Sequence, residues 1–295
     1  MSELTEVANA EPGSQPAGDW QPVWRSNDEL LRFSDLTLAE LFRQNARYGA
    51  GSRLLEEDGL VLFAGSHAQP NPYRNGAIRL DHRLGASAAL EQAQLFFSTL
   101  ERPFVFWVPE RDTKLSELCE ARGFQLLEPG GLPELALSAP PPPVRQLTDD
   151  VVLVRADTPE VRRDYVAVVA EGWGMEDIST ELATEIFFHP DSVADPNAIA
   201  FVAYVDGRPA SGCLALLAYG IAVGGQCATA RWARRRGLAE ACYEACLDVA
   251  YNEFGIRGSV CQSSPLGLGV WERMGYRVCT RYLRYLVPRP TRSWG

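Results

Sequence analysis

The stretch CATARWARRRGLA, residues 227–239, predicts its own local structure more clearly than any other part of the chain. It continues an apolar run that begins at Ile221 and precedes a helical pattern that extends to Phe254, so it predicts a strand, a basic turn and a helix. The first amides of a helix have no partner within the helix and lie at the positive end of its dipole. Gly237 leaves the backbone open to close approach, and the arginines add positive charge. The stretch therefore predicts a cradle for a phosphate group. The alternative is an ordinary arginine-rich surface turn.

The remaining pattern predicts an α/β protein in which helices alternate with short apolar strands. In the first half, helices are expected over residues 28–48, 86–100 and 112–122, and strands over 60–64, 77–80, 104–108, 124–127 and 134–137. In the second half, helices are expected from 159 towards 172 and over 237–254 and 265–274, and strands over 151–155, 199–205, 209–218, 221–229, 256–262 and 276–287. Asp206-Gly207 is typical of a hairpin turn between two of these strands.

The chain divides at Pro140-Pro141-Pro142-Pro143, because four consecutive prolines can continue neither a helix nor an internal strand. We therefore predict two domains, each of ordinary size. The expected division is a tail at 1–26, a first domain at 27–138, a proline-rich linker at 139–148, a second domain at 149–288 and a tail at 289–295. The first tail is rich in Pro, Gly, Ser and acidic residues, a composition typical of disorder.

Composition excludes several classes of protein. Of the 295 residues, 46% are hydrophobic and 22% charged, which excludes a mostly disordered, collagen-like or coiled-coil chain. No apolar run approaches the length of a membrane span, and the acidic N-terminus lacks the basic and apolar regions of a signal peptide, so we expect a cytoplasmic protein without a membrane partner. The seven cysteines are scattered and form no C-x-x-C pair, which indicates reduced thiols. Cys242 and Cys246 lie one helical turn apart, but with three histidines in the chain we expect a core-facing helix edge and no metal site.

The net charge of −10 is distributed unevenly. Residues 156–207 carry eleven acidic side chains against Arg162 and Arg163, whereas residues 208–295 carry twelve arginines against five acidic side chains. An acidic segment followed by a basic one suits an enzyme that holds a polyanionic cofactor beside a cationic acceptor, although surface charge can also differ by chance. The overall acidity and the lack of a basic stripe argue against nucleic acid as a partner.

The motif R-x-x-G-x-A at Arg234–Ala239, which follows the strand end Cys227-Ala228-Thr229, resembles the acetyl-CoA pyrophosphate loop of the GNAT N-acetyltransferase superfamily. The order downstream is similar too: a long helix, a strand, a short helix and then Trp271-Glu272-Arg273-Met274-Gly275-Tyr276, which looks like the family's Y-E-K-x-G-F element. The resemblance covers residues 150–288. The first domain, with its Gly123-Phe124 junction, looks like a degenerate second copy without an R-x-x-G-x-G/A loop, and we assign it no cofactor. The resemblance thus implies two GNAT-like domains in tandem, each with a central mixed sheet flanked by helices.

The resemblance also implies roles for individual residues. The backbone amides from Arg234 to Ala239 would hold the pyrophosphate, with Arg235 and Arg236 nearby. The backbone around Cys227–Thr229 would pair with the pantetheine arm and polarise the acyl carbonyl, with Ala228 at the reacting group. The set of cofactor-binding candidates is Cys227, Thr229, Arg234, Arg235, Arg236, Gly237, Leu238, Ala239 and Ser264.

Two departures from the family pattern concern proton transfer. The position where members often carry a tyrosine that protonates the leaving thiolate is Trp271, whose indole N–H is far too weak an acid. Ser263 and Ser264 could hydrogen-bond the cofactor, and Tyr276, Tyr282 and Tyr285 are the other tyrosines considered as acids. The strand over 221–229 contains no carboxylate, so a base would come from the acidic segment or from water. The candidates for the base are Glu171 and Glu176, with Asp177, Glu181 and Glu185 as further choices.

We therefore expect an enzyme that moves an acetyl group from acetyl-CoA to a primary amine of a small, cationic molecule by direct attack. The alternative is a regulatory or sensor protein that binds CoA with little or no turnover. Pairing of the two domains could form a pseudo-dimer within a monomer, or the chain could form a homodimer. Gly224-Gly225 is unusual inside a strand and indicates a bulge, a close approach by a ligand or a wider acyl pocket.

Overall fold

A computed structural model of the chain describes residues 20–66, 71–174 and 190–289. Its helices are α1 (Asn27–Tyr48), α2 (Ala86–Thr99), α3 (Thr113–Ala121), α4 (Pro159–Gly174), α5 (Pro190–Val193), α6 (Leu238–Phe254) and α7 (Leu268–Arg273), with a 3₁₀ turn at Arg231–Ala233. Its strands are β1 (Arg53–Glu57), β2 (Leu60–Ala64), β3 (Asn75–Arg79), β4 (Phe104–Pro109), β5 (Gln125–Leu126), β6 (Leu132–Leu137), β7 (Val151–Arg155), β8 (Ala198–Val205), β9 (Arg208–Ala218), β10 (Ile221–Thr229), β11 (Ser259–Gln262) and β12 (Arg277–Val287). The predicted mixed α/β architecture is confirmed.

The described residues form two compact units. The N-terminal unit contains residues 25–66, 71–135 and 278–289, and the C-terminal unit contains residues 20–24, 136–174 and 190–277. In the N-terminal unit the strand order is β1-β2-β3-β4-β12, and β5 pairs with β12; in the C-terminal unit it is β11-β10-β9-β8-β7. Each sheet is mixed, because β3–β4 and β10–β11 are parallel pairs among antiparallel neighbours.

This division differs from the predicted domains at two places. The second domain was expected to extend to 288, but β12 pairs antiparallel with β4, for example Tyr285 with Phe106, so its hydrogen bonds place it in the N-terminal unit. The tail was expected to include residues 20–26, yet the backbone N–H of Val23 donates to Arg257 O over 2.7 Å and the Trp24 ring is buried against Gly258. A buried tryptophan fixes a segment that its composition alone predicts to be loose. Residues 1–19 and 290–295 of the two predicted tails lie outside the described part of the chain.

The sheet of the N-terminal unit is covered on both faces. Alternate residues of β2 separate two apolar clusters: Leu60 and Leu62 pack with α2 and α3, whereas Val61 and Phe63 pack with α1. This is the period-two alternation expected of a strand. The exposed strand β1 was not predicted, since its sequence Arg-Leu-Leu-Glu-Glu carries no apolar run and its side chains are mostly exposed.

The sheet of the C-terminal unit is also sandwiched between helices, and β9 shows how. The Cα of Gly212 faces Tyr165 and Val169 of α4, whereas the next residue, Cys213, donates its thiol to Ala239 O in α6. Neighbouring residues of a strand point to opposite faces, so α4 and α6 lie on opposite sides of the sheet. Cys242 and Cys246 are buried in α6, as the predicted core-facing edge requires.

Candidate functional site

The site begins where β10 leaves its parallel neighbour. β10 pairs with β11 at three positions only, Ala222–Gly224 against Ser259–Cys261, and then continues to Thr229. Its antiparallel register with β9 shifts between Gly225 and Ala228, and Gln226 has a φ of 50°. These are the marks of a β-bulge, which bends a strand and redirects its backbone groups. Beyond Gly224, β10 therefore presents an edge that β11 does not fill.

Hydrogen bonds from two directions hold the bulge. Tyr165 of α4 donates its hydroxyl to Gln226 O over 2.9 Å, and Ser211 of β9 donates to Ala228 O over 2.9 Å. Burial raises the pKa of the Tyr165 hydroxyl well above its usual range, so the group stays protonated and remains a donor. The helix packs closely here, because a Cβ on Gly172 would lie 2.5 Å from the Ala228 methyl group. The predicted reacting position, Ala228, thus lies in a fixed backbone.

The two glycines of β10 have different reasons to be there. A Cβ on Gly224 would lie 2.7 Å from the Tyr243 hydroxyl, so this glycine makes room for a core tyrosine. A Cβ on Gly225 would meet no atom of the described residues within 4 Å, so this residue borders a space that they leave open. Of the interpretations offered for the pair, close approach by a ligand fits Gly225, and tight internal packing explains Gly224.

The turn between β10 and α6 is the stretch for which the sequence predicts a phosphate cradle. Arg235 has a φ of 67° and Gly237 a φ of 75°, both in the left-handed region. Gly237 is the N-cap of α6, and no side chain in the described part of the chain caps the helix. The first bond within the helix is from Ala241 N to Gly237 O, so the amides of Leu238, Ala239 and Glu240 have no acceptor in the helix. Successive amides in such a turn, together with the helix dipole, make an anion-binding concavity.

The three predicted arginines differ in their surroundings. Arg236 pairs with Asp150 over 2.6 Å, and Arg234 donates to Thr229 O over 3.4 Å, which ties the turn to the end of β10. Arg235 is exposed and has no ion pair within the described part of the chain, so it is the arginine of the three that can turn to a ligand without breaking one. Leu238, proposed as a binding residue, buries its side chain in the core, and only its backbone amide can contribute.

A network of hydroxyl groups beneath β10 was not anticipated. Ser259 of β11 donates to Ala222 O over 2.8 Å and lies 3.0 Å from the Tyr243 hydroxyl and 2.6 Å from the Tyr276 hydroxyl. Trp271 packs edge-on against Tyr243 and is itself buried. The only signal in the sequence was the glycine at 224, whose missing side chain accommodates the tyrosine.

The structure argues against each substitute for the missing acid. Burial raises the pKa of the Tyr276 hydroxyl well above its usual range, and this hydroxyl already donates its hydrogen bond to Ser259 Oγ. Tyr282 and Tyr285 belong to the N-terminal unit, where their hydroxyls donate to Asp35 and Glu120. Ser263 is buried, and Ser264 is exposed in the turn after β11, where its carbonyl accepts a bond from Ser263.

One base candidate is described. Glu171 is exposed on the last turn of α4, next to the Gly172 that packs on Ala228. The other candidates, Glu176, Asp177, Glu181 and Glu185, lie outside the described residues. Cys227 is a half-buried free thiol in the bulge, with Sγ 3.3 Å from Gly225 O. Among residues 20–66, 71–174 and 190–289, no group of three or more His, Cys, Asp and Glu side chains is arranged to hold a metal ion, and no helix is both long and apolar enough to cross a membrane.

The corresponding turn of the N-terminal unit, from β3 to α2, is built differently. Arg79 at the end of β3 forms a buried ion pair with Asp112, and it also donates to Leu84 O in the turn itself. The Asp81 carboxylate packs against Gly59, where a Cβ would lie 2.3 Å from it. The N-cap of α2, Gly85, has no side-chain cap among the described residues either, so the two turns differ in this internal ion pair and acidic side chain and not in helix capping. Asp35, in the wall of a nearby cavity of about 590 Å³, has a pKa raised to about 6 by burial.

No family model matches the sequence, and no curated protein matches it either. Solved structures do match. A GCN5-related N-acetyltransferase from Kribbella flavida is 17% identical with a TM-score of 0.64, covering 85% of this chain and 95% of that one. A GCN5-related N-acetyltransferase from Sphaerobacter thermophilus is 16% identical with a TM-score of 0.58, covering 80% and 83%. A tandem GNAT protein from the clavulanic acid biosynthesis pathway is 15% identical with a TM-score of 0.59, covering 92% and 99%. The chain therefore has the fold of the GCN5-related N-acetyltransferases, in the tandem, two-domain arrangement that its sequence predicts.

Proposed function

We propose that the C-terminal unit is an acyl-CoA-dependent N-acyltransferase that moves an acetyl group from acetyl-CoA to a primary amine. One observation carries the proposal: an uncapped helix N-terminus with left-handed residues lies directly after a bulged strand edge that its neighbour leaves open. The first feature fits a diphosphate, and the second offers backbone donors and acceptors to an amide-containing arm. Acetyl-CoA, which has both groups, would supply the activated acyl thioester.

Separate residues would bind the diphosphate and polarise the acyl carbonyl. The amides of Leu238, Ala239 and Glu240 would bind the diphosphate, and Arg235 would add charge. The backbone of Cys227, Ala228 and Thr229 would orient the arm and polarise the acyl carbonyl, and the bonds from Tyr165 and Ser211 keep these groups in place before the substrate arrives. The amine would attack the carbonyl carbon directly, and the thiolate would leave as the tetrahedral intermediate collapses.

Proton transfer is the weakest part of the machinery. Trp271 packs in the core and cannot protonate a thiolate, so water would have to do so. Proton transfer by a positioned side chain contributes about 10²–10⁴-fold to the rate, so we expect slow turnover. Glu171 is the described candidate for deprotonating the amine, and the acidic character of residues 156–207 favours a cationic acceptor.

The same observation on Trp271, with the absence of any carboxylate on β10, favours a second candidate function. In that case the protein binds acetyl-CoA as a sensor or regulator with little or no turnover.

One experiment separates the two candidates. The protein is incubated with acetyl-CoA and a pool of polyamines, amino sugars and amino acids, and free CoA and acetylated products are quantified by chromatography and mass spectrometry. Acetylated amine that forms with the wild type and not with Gly237→Glu supports the enzyme. Saturable binding of acetyl-CoA without any product supports the sensor. Neither binding nor product would refute both.

A further inference from the structure

Arg145, from the proline-rich linker, contacts the first two turns of α6. Its Nε lies 3.1 and 3.0 Å from the two carboxylate oxygens of Glu244, and its Nη1 donates to Glu240. Its backbone N–H donates to Glu244 over 2.9 Å. Nη1 also lies 3.2 Å from where a Cβ on Gly237 would be, so the guanidinium borders the N-terminus of the helix.

The two carboxylates that Arg145 binds are almost fully buried. The side chain of Glu240 is 5% exposed and that of Glu244 is 3% exposed. Glu240 has a second cation, Arg273, whereas Glu244 has no cationic partner other than Arg145 in the described part of the chain. A buried carboxylate that loses its cation is strongly destabilised or takes up a proton.

Glu240 is the third residue of α6, so its carboxylate lies beside the free amides of the cradle. Its Oε2 is 3.8 Å from the position of a Cβ on Gly237. A diphosphate bound against Gly237 and this carboxylate would repel each other where the surroundings are partly dry. A diphosphate could therefore bind at Gly237 only if the charge of this carboxylate is offset.

The charges around the cradle balance only when Arg145 is counted. Arg145 and Arg273 offset Glu240 and Glu244, and the hydrogen bonds that Arg145 donates to Glu244 raise the pKa of its guanidinium, so it stays charged. What is left over is positive: the helix dipole and the exposed Arg235, which has no ion pair with any described residue. Without Arg145 the same ligand would meet a buried negative charge.

We propose that Arg145 is a positioning residue for the diphosphate of a CoA-type ligand, because it neutralises Glu240 and Glu244 beneath the cradle and so leaves the cradle positively charged. The inference rests on the proposed function and adds to it a residue that lies outside the R-x-x-G-x-A motif. It also gives the linker a role in ligand binding.

The test compares the affinities of variants for CoA and for pantetheine, which lacks the phosphates. In Arg145→Gln we expect CoA to bind about tenfold to a hundredfold more weakly, as when one partner of a buried charge pair is truncated, and pantetheine to bind as to the wild type. In Arg145→Lys, which keeps the charge, most of the CoA affinity should remain. In the triple variant Arg145→Gln/Glu240→Gln/Glu244→Gln, which removes the anions as well, CoA affinity should recover.

Arg155→Gln is the matched control. Arg155 pairs with Glu253 over 3.0 Å in the last turn of the same helix, so this variant removes the same charge at the opposite end of α6. Its CoA affinity should equal that of the wild type.

The outcomes are distinct. If Arg145→Gln binds CoA as tightly as the wild type, or loses CoA and pantetheine to the same degree, the inference is overturned while the proposed function stands. If the wild type itself binds no CoA, the proposed function fails and the inference with it. Should Arg145→Gln not fold, Glu240→Gln replaces it: a severalfold gain in CoA affinity with unchanged pantetheine affinity supports the inference, and unchanged CoA affinity overturns it.

Discussion

The hydroxyl of Tyr165 is the contact that most directly links the packing of the C-terminal unit to its site. It donates to the carbonyl of Gln226, the bulge residue with a φ of 50°, over 2.9 Å, and the tyrosine is completely buried. Tyr165→Phe removes this donor and leaves the ring in place. The carbonyl then loses the hydrogen bond that ties the bulge to α4.

The size of the effect follows from the loss of one hydrogen bond. Such a bond contributes about 0.5–1.5 kcal/mol to the free energy of unfolding. Without it the bulge would relax, and the backbone at Ala228 would move with it. If the displaced backbone stabilises the transition state by about 1.4 kcal/mol less, acyl transfer becomes tenfold slower. We therefore expect the transfer rate to decrease roughly tenfold or more.

Tyr204→Phe is the control, since it removes a tyrosine hydrogen bond to the neighbouring residue of the same helix. The Tyr204 hydroxyl donates to Asp164 over 2.7 Å, is half-buried and is not in contact with the bulge. Urea denaturation gives the stability of both variants, and CoA release measured by chromatography gives the transfer rate. We expect both variants to lose stability and only Tyr165→Phe to lose activity. Equal transfer rates in the two variants would refute the role assigned to the bulge.

Further predictions concern both units. Gly224→Ala should lower the free energy of unfolding by about 1–3 kcal/mol because its methyl group would overlap a buried tyrosine hydroxyl, whereas Gly225→Ala, which faces open space, should change it by less than about 0.5 kcal/mol, as urea denaturation will show. Arg79→Met should cost about 3–5 kcal/mol because it leaves the buried Asp112 carboxylate unpaired, and Arg79→Met/Asp112→Asn should recover much of this; an equal loss in the two would contradict the argument. The pKa of Asp35 is raised to about 6 in the folded state, so its protonated form favours folding, and this contribution is lost as the pH rises from 4 through 6. The stability of Asp35→Asn relative to the wild type should therefore increase by roughly 2 kcal/mol between pH 4 and 7, and a constant difference across that range would refute the assignment.

The elements around the cradle could be predicted because their signals are local. The apolar run of β10 ends at Thr229 as expected. The helix α6 begins at Leu238, one residue after the predicted start at Gly237. A glycine in the left-handed region is what the end of a turn before a helix requires, and the sequence supplies one at that position.

The features that were missed depend on contacts between distant parts of the chain. Arg145 gives no local sign that it will meet Glu240 and Glu244, which lie about a hundred residues later. The assignment of β12 to the N-terminal unit depends on its pairing with β4, and an apolar strand has no feature of its own that selects its partner. Composition predicts a polar tail around Trp24, because one buried ring hardly changes the composition of a segment.

The central claim is that the turn before α6 holds the diphosphate of an acyl-CoA. Calorimetric titration of acetyl-CoA into the wild type and into Gly237→Glu tests it most directly, since the substitution places bulk and negative charge at a residue with a φ of 75° beside the free amides. The account predicts one saturable site in the wild type and none in the variant. Equal binding to both proteins would mean that the ligand binds elsewhere, and no binding to the wild type would contradict the account.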